Sequence, residues 1–228
     1  RDAVDLTEDG VADNRRFHLI DDRDRMVNGK RIGPLVAVRP DYDDAAGELA
    51  LTFPDGTVVS GTVTVGDPVA SNFFGRPRQG RVVLGPFSAA LSEFAGMSLR
   101  LVRSARPGLG VDRGRGGAMS LLSEAACGDF DPRRFRMLFG IGGVPAHAED
   151  DWVGYRVRIG DAVVRPLSET GRCLITSQDP DTGRPDTDML EWIRRNRPDD
   201  TGEPLPFGVH GSVAEPGRVR LGDPVERL

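Results

Sequence analysis

The chain has 228 residues, with 30 basic and 35 acidic side chains and a formal net charge of −5. This length suits one large domain or two small ones, and the mild acidity argues against a nucleic-acid binder, which would carry a strong basic patch. No apolar run approaches 18 residues, so the sequence predicts no transmembrane helix, no membrane partner and a cytoplasmic location.

The first hundred residues predict short strands joined by turns. Residues 17–20 and 35–38 are apolar runs typical of strands. Residues 48–53 and 57–65 flank a Pro-Asp-Gly turn at 54–56, so they predict a β-hairpin.

One helix is predicted in this half of the chain. Phe87, Leu91 and Phe94 fall on one helical face, and Gly96 is placed to end the helix in a left-handed cap. Residues 98–103 then predict a returning strand.

The second half predicts two more helices, over 120–127 and from 186–188 onward, among many short strands. The predicted strands are 135–141, 155–159, 162–167, 173–177, 207–212 and 217–221. Several short strands separated by Gly and Pro turns favour a β-barrel. The predicted fold class is therefore mainly β with a few helices (α+β).

A segment rich in Gly, Pro and Arg at 104–117 predicts the domain boundary, giving domains 1–103 and 104–228. It matches neither phosphate-loop pattern: Arg113 occupies the third glycine position of the dinucleotide motif, and no Gly-Lys-Ser/Thr follows. A plain linker is one interpretation. In the other, the helix predicted to begin at Ser120 binds an anion at its N-terminus with help from Arg113 and Arg115.

Cys173 is the main candidate for chemistry. Arg172 precedes it, and an apolar run and an Asp-Pro-Asp-Thr-Gly turn follow, so we predict that Cys173 starts a strand that runs into a tight reversal. The neighbouring positive charge favours the thiolate, the form that binds metals or attacks sulfur. The alternative is a buried, inert cysteine.

Other polar residues predict structural roles. The three histidines and two cysteines form no zinc motif and suggest no disulfide framework. His18 alternates within a strand, Asp150-Asp151 resemble solvated loop charges, and Arg197 lies where it would cap a helix C-terminus. His210 could approach Cys173.

Several motifs resemble the MOSC family, named for the C-terminal part of molybdenum cofactor sulfurase. The cysteine segment 171–183 is similar to its signature, and the order and spacing of the other motifs agree over nearly the whole chain. These motifs lie at 15–21, 121–125, 134–136, 149–152, 159–160, 207–209 and 216–225. The resemblance implies a MOSC β-barrel after a smaller mixed α/β N-terminal domain.

The resemblance also implies a site. In the amidoxime-reducing branch of the family, the cysteine that matches Cys173 is the thiolate ligand to molybdenum, and Cys173 is accordingly the predicted catalytic and metal-binding residue. Arginines that match Arg16, Arg136 and Arg172 hold the molybdenum cofactor (molybdopterin). Ser120 and Ser123 complete the predicted cofactor-binding set. The implied reaction reduces an N-hydroxylated or N-oxide small molecule, with electrons from a partner protein.

Three functions stay open. The first is the molybdenum oxidoreductase, and the second is a sulfur carrier that uses a persulfide on Cys173. The third is a cofactor-free tailoring protein of specialised metabolism. It is favoured by Leu138, which stands where the family's Arg-Phe-Arg-Pro-Asn motif has asparagine, and by the missing Pro-Val-Lys-Ser motif, which either lies upstream of Arg1 or is lost. Met137 in place of the family's proline and Gly171 in place of a serine are further departures that alter the pocket.

Overall fold

The computed structural model describes residues 2–12, 14–108, 114–197 and 204–228. Strands dominate these residues, and the α-helices among them are α1 (Phe87–Ala95) and α2 (Met189–Asn196). The mainly β fold with few helices is therefore confirmed. Neither helix has the length and apolar character needed to cross a bilayer.

The strands of the described residues run in chain order as β1 (Ala3–Thr7), β2 (Gly10–Val11), β3 (Phe17–Ile20), β4 (Met26–Val27), β5 (Arg39–Asp43), β6 (Glu48–Thr52), β7 (Val58–Thr62), β8 (Thr64–Phe73), β9 (Arg76–Leu84), β10 (Arg100–Ser104), β11 (Met119–Ser123), β12 (Phe139–Ile141), β13 (Val157–Ile159), β14 (Ala162–Gly171), β15 (Pro206–Glu215), β16 (Gly217–Arg220) and β17 (Val225–Arg227).

The chain divides into two compact units. The first unit comprises residues 1–14, 107–177 and 186–228, and the second comprises 15–106 and 178–185. The predicted boundary between 103 and 104 lies next to one of these divisions. The domain limits 1–103 and 104–228 stay a prediction, since the first unit also takes in the N-terminal residues.

A six-stranded sheet, a curled half-barrel, forms the frame of the first unit. Its order is β12-β11-β15-β14-β13-β17, with β11 parallel to β12 and antiparallel to β15. A separate three-stranded sheet has the order β16-β1-β2. The buried residues Leu121, Val164 and Val209 belong to the core of this unit.

The second unit has a five-stranded sheet, β4-β3-β10-β9-β8, and a three-stranded sheet, β5-β6-β7. Helix α1 buries Phe87 and Leu91 in its core and ends at Gly96, which has the left-handed φ of 66°. Both the helix and its predicted cap are confirmed, as is the hairpin between β6 and β7.

Two predicted elements outside the Cys173 segment were wrong. Residues 119–123 form strand β11, and only 124–127 turn helically, as a 3-10 helix, where we predicted a helix over 120–127. Pairing on both edges, with β12 and β15, overrides the helical pattern. Residues 35–38 lie largely in the 3-10 helix Gly33–Ala37, with Pro34 in its first turn, where proline fits a helix but has no N–H for a sheet.

Candidate functional site

Cys173 lies in a turn of the first unit, between the end of β14 and a 3-10 helix at Leu174–Ser177. The predicted strand over 173–177 is therefore wrong. The backbone N–H and the hydroxyl of Thr176 both donate to the carbonyl of Cys173, at 3.1 and 3.0 Å, and these bonds close the turn. The thiol is exposed, so Cys173 is not the buried, inert cysteine of the alternative interpretation.

Ser177 anchors the far end of this turn. It is buried, its hydroxyl accepts from the backbone N–H of Met189 at 3.2 Å, and its carbonyl accepts from that of Asp186 at 3.1 Å. Helix α2 begins at Met189, with the Asp188 carboxylate as its N-cap. The Cys173 turn is thus attached to the start of a helix.

The predicted tight reversal after Cys173 is confirmed in residues 178–185, which belong to the second unit. The Asp179 carboxylate accepts from the backbone N–H groups of Asp181 and Thr182. Gly183 has a φ of 68°, and a Cβ there would lie 1.8 Å from the carbonyl oxygen of Gly33. Glycine is therefore required at this position.

Arg172 is surrounded by acceptors from the protein itself. Its Nε donates to the Phe207 carbonyl at 2.8 Å and its Nη1 to the Phe135 carbonyl at 2.9 Å. Its Nη2 donates to Phe207 O as well and lies 2.9 Å from Met137 Sδ. All three nitrogens therefore contact the protein.

Arg136 is the arginine whose charge interacts with that of Cys173. It caps the 3-10 helix Pro132–Phe135 in the left-handed conformation, with a φ of 52°, and is exposed at the surface. Partial burial of the guanidinium nevertheless lowers the pKa of Arg136, and the negative charge of Cys173 acts in the opposite direction. From the sequence we expected this charge to come from Arg172.

Arg134 connects segments around Cys173 through an ion pair. The sequence identified it only as part of a family motif. Its guanidinium is buried and forms two bonds with the Asp186 carboxylate, Nη1–Oδ1 at 2.7 Å and Nη2–Oδ2 at 2.5 Å. Because Asp186 also bonds Ser177, this ion pair connects the segment before Arg136 to the Cys173 turn.

The two candidate serines lie on β11. The Ser120 hydroxyl accepts from the backbone N–H of Leu138 at 2.9 Å, and the fully buried Ser123 donates to the Pro145 carbonyl at 2.9 Å. Neither begins a helix, because residues 119–123 are a strand. Their predicted role as cofactor ligands stays a prediction.

Four other candidate residues were named from the sequence: Arg16, Arg113, Arg115 and His210. Arg16 belongs to the second unit, where it forms a two-bond ion pair with Asp44, at 2.8 and 3.2 Å. Arg115 pairs with Asp9 at 2.9 Å, while Arg113 falls outside the described residues. His210 lies 3.3 Å from the Thr170 hydroxyl, measured from its Nδ1.

A buried ionic group in the first unit escaped the sequence analysis. Arg197 is 7% exposed and bonds Asp150 Oδ2 at 2.6 Å and His147 Nδ1 at 2.5 Å. Asp150 is therefore not a solvated loop charge, and burial raises its pKa. Glu149 is fully buried, which raises its pKa, and neither carboxylate oxygen has a hydrogen-bond partner of normal geometry among the described residues.

The second cysteine is chemically different from Cys173. Cys127 is 1% exposed, and burial, together with the charges of Glu124 and Glu149, raises its pKa to about 12. The positive charge that acts on it is that of Arg172, in the opposite direction. Reactive thiolate chemistry in this chain therefore belongs to Cys173.

No group of three or more His, Cys, Asp or Glu in the described part of the chain could hold a metal ion. An accessible thiol beside an arginine is a suitable donor set for a soft metal in an anionic cofactor.

Residues 117–226 match the family model of the MOSC domain. These residues form a MOSC domain. The MOSC resemblance of the sequence is therefore confirmed, and Cys173, Arg136 and Arg172 all lie inside the matched region.

Curated relatives of this chain are mitochondrial amidoxime-reducing components. Component 1 of Mus musculus is 37% identical over 123 residues and that of Homo sapiens 33% over 124 residues. Component 2 of Rattus norvegicus is 34% identical over 124 residues. Each match covers 47% of this chain and 36% of the relative, so the matched region spans little more than a third of these proteins.

Two solved structures are also similar to the chain. YiiM from Geobacillus stearothermophilus has a TM-score of 0.40 and 17% identity, covering 73% of this chain and 72% of that one. A protein from Bordetella bronchiseptica has a TM-score of 0.30 and 19% identity, covering 39% of this chain and 71% of that one.

Proposed function

We propose that this MOSC-domain protein is a molybdenum-cofactor oxidoreductase that reduces N-hydroxylated or N-oxide small molecules. The observation that carries the proposal is the exposed Cys173 thiol, held in a hydrogen-bonded turn with Arg136 as its charged neighbour. The amidoxime-reducing names of its relatives support the reaction class.

Two residues of the site, Cys173 and Arg136, would hold different parts of the cofactor. Cys173 would bind molybdenum through its thiolate, because a soft sulfur ligand suits a metal already bound through sulfur. Arg136 would bind the negative charges of the pterin and its phosphate, since a guanidinium stays ionised and bonds two oxygens at once. When bound, the cofactor supplies the two-electron chemistry that converts an N-hydroxyl group to an amine, with two protons taken up and water released.

The test is metal content. Full-length protein from a cofactor-producing host would be assayed for molybdenum by elemental analysis and for pterin by fluorescence after oxidation. We expect near-stoichiometric molybdenum in the wild type and in Cys127→Ala, and its loss in Cys173→Ala. The Cys127 variant is the matched control, because it removes the other thiol from a buried position.

The absence of both metal and pterin from the wild type would refute the proposal. Equal metal content in Cys173→Ala and the wild type would refute only the ligand role of Cys173. An electron-donating partner protein and a cytoplasmic location stay predictions.

A sulfur carrier is the second candidate, and the exposure of the site favours it. Leu174, next to the exposed thiol, is 62% exposed, so a protein acceptor has both a reactive group and an apolar contact within reach. Cyanide would release sulfur from a Cys173 persulfide as thiocyanate, and wild type that lacks metal but releases this sulfur would establish this function instead.

A further inference from the structure

The partly buried side chain of Arg172 bonds two backbone carbonyls and contacts a thioether. Its two carbonyl acceptors belong to Phe135 and Phe207, whose rings stack at 4.3 Å with 17° between their planes, and both residues are 1% exposed. The Arg172 guanidinium carbon lies 5.8 Å from the centre of the Phe135 ring. The guanidinium is therefore built into the packing between the 3-10 helix Pro132–Phe135 and strand β15.

Gly208 makes room for this arrangement. It has a φ of 72°, and a Cβ there would come within 2.8 Å of Met137 Cε, 2.7 Å of the Leu121 carbonyl oxygen and 3.3 Å of Arg172 Nη2. Met137, which stands where the family motif has proline, closes the other side through its sulfur. The close packing orients the guanidinium toward protein acceptors.

The backbone of Arg172 is held as well. Its N–H donates to the Leu205 carbonyl at 3.2 Å, directly after β14 ends at Gly171. The next residue is Cys173, whose carbonyl closes the turn with Thr176. Arg172 thus fixes the residue on which the thiol turn begins. Arg136, by contrast, makes no side-chain hydrogen bond to another described residue.

We propose that Arg172 is a positioning residue for Cys173. It ties the carbonyls of Phe135 and Phe207 together and so holds the start of the thiol turn, a role that Arg136 does not share. This inference deepens the proposed function and rests on the ligand role that it gives to Cys173. In the family pattern Arg136 and Arg172 both hold the cofactor, whereas here their roles differ.

The experiment compares Gln and Lys substitutions at both arginines in the full-length protein, before any metal is added. Amide hydrogen exchange over 171–177, followed by peptide mass spectrometry, reports the order of the turn. Lysine keeps the charge but cannot donate to two carbonyls in the geometry of the guanidinium fork.

Amide exchange over 171–177 should respond to substitution of Arg172 but not of Arg136. Arg172→Gln and Arg172→Lys should both raise exchange over 171–177 by about tenfold, since each loses the fork. Arg136→Gln and Arg136→Lys should both leave exchange over 171–177 unchanged, because the Arg136 side chain bonds no other described residue.

Restoration of normal exchange by Arg172→Lys would overturn the proposal, as would unchanged exchange in Arg172→Gln. Should Arg172→Gln fail to fold, Met137→Leu removes only the thioether contact and should raise exchange over the same residues by a smaller factor. Because these measurements need no cofactor, an absence of molybdenum would defeat the proposed function without altering their outcome.

Discussion

At the scale of single residues, the two cysteines differ because their surroundings differ. Cys173 lies exposed beside Arg136, whereas Cys127 lies in an apolar core and has a pKa of about 12. Sequence alone shows that Cys173 follows an arginine and leaves open whether Cys173 is a reactive thiolate or a buried, inert cysteine. The burial that separates their chemistry is a tertiary property.

Native protein treated with iodoacetamide near neutral pH should therefore be modified at Cys173 and not at Cys127. The reason is that alkylation needs an accessible thiolate, which Cys127 lacks. Peptide mass spectrometry of the digested protein measures both sites. In urea both cysteines should react, which is the control, and equal modification of the two in the native state would contradict the assignment.

His18 gives a second prediction at this scale. Its Nδ1 lies 3.0 Å from the Ser104 hydroxyl and its Nε2 2.8 Å from that of Ser71, and burial lowers the pKa of His18 from 6.5 to about 4. Between these values the unfolded chain binds a proton that the folded protein excludes. Stability should therefore fall as the pH is lowered through this window.

The loss attributable to His18 should reach about 2 kcal/mol at about pH 5. Urea unfolding at about pH 7 and about pH 5 measures it, and His18→Gln should reduce the difference between the two pH values. Burial also lowers the pKa of His147 to about 4. The His18→Gln variant should therefore keep part of the dependence of stability on pH, with the same sign. A His18→Gln variant with the full wild-type slope would contradict the argument.

At the scale of elements, the sequence predicted the features that are determined by residues near one another in the chain. The helix Phe87–Ala95, its left-handed Gly96 cap and the turn after Cys173 depend on residues close in sequence, and all three were predictable. Strand β11 was not, because its pairing partner Val209 lies far along the chain and its other partner Phe139 follows a separate 3-10 helix. The acceptors of Arg172 escaped prediction for the same reason.

The turn at 178–185 offers a matched pair of glycines. Gly183 has a φ of 68° and no room for a Cβ, whereas Gly47 has a φ of 69° and nothing within 4 Å. Gly47→Ala should cost about 1 kcal/mol from backbone conformation alone. Gly183→Ala should carry the same backbone cost and also a clash with the carbonyl of Gly33.

Amide exchange separates these two effects. Gly183→Ala should speed exchange at the backbone N–H groups of Asp179 and Gly183, which bond Arg184 O and Asp179 O, by about tenfold or more. Gly47→Ala should leave them unchanged. Similar exchange in the two variants would show that the close approach to Gly33 does not constrain the turn.

At the scale of the whole molecule, each unit contains its own buried apolar core. Leu121 belongs to a core of the first unit and Leu91 to the core of the second, and each is no more than 4% exposed. The sequence predicted two domains from the composition of the 104–117 segment. It could not show that residues 178–185 group with the earlier part of the chain, because that depends on the backbone approach of Gly183 to Gly33.

Because each unit has its own core, we expect the two units to unfold at different temperatures. Scanning calorimetry of the full-length chain should therefore resolve two transitions. Leu91→Ala and Leu121→Ala make the same chemical change in different cores, and each should cost about 2–5 kcal/mol. In units of roughly one hundred residues, that loss lowers a midpoint by about 10 °C or more. Leu91→Ala should therefore lower one transition and Leu121→Ala the other. If both variants lower a single shared transition by the same amount, the two cores unfold as one cooperative structure and the prediction is wrong.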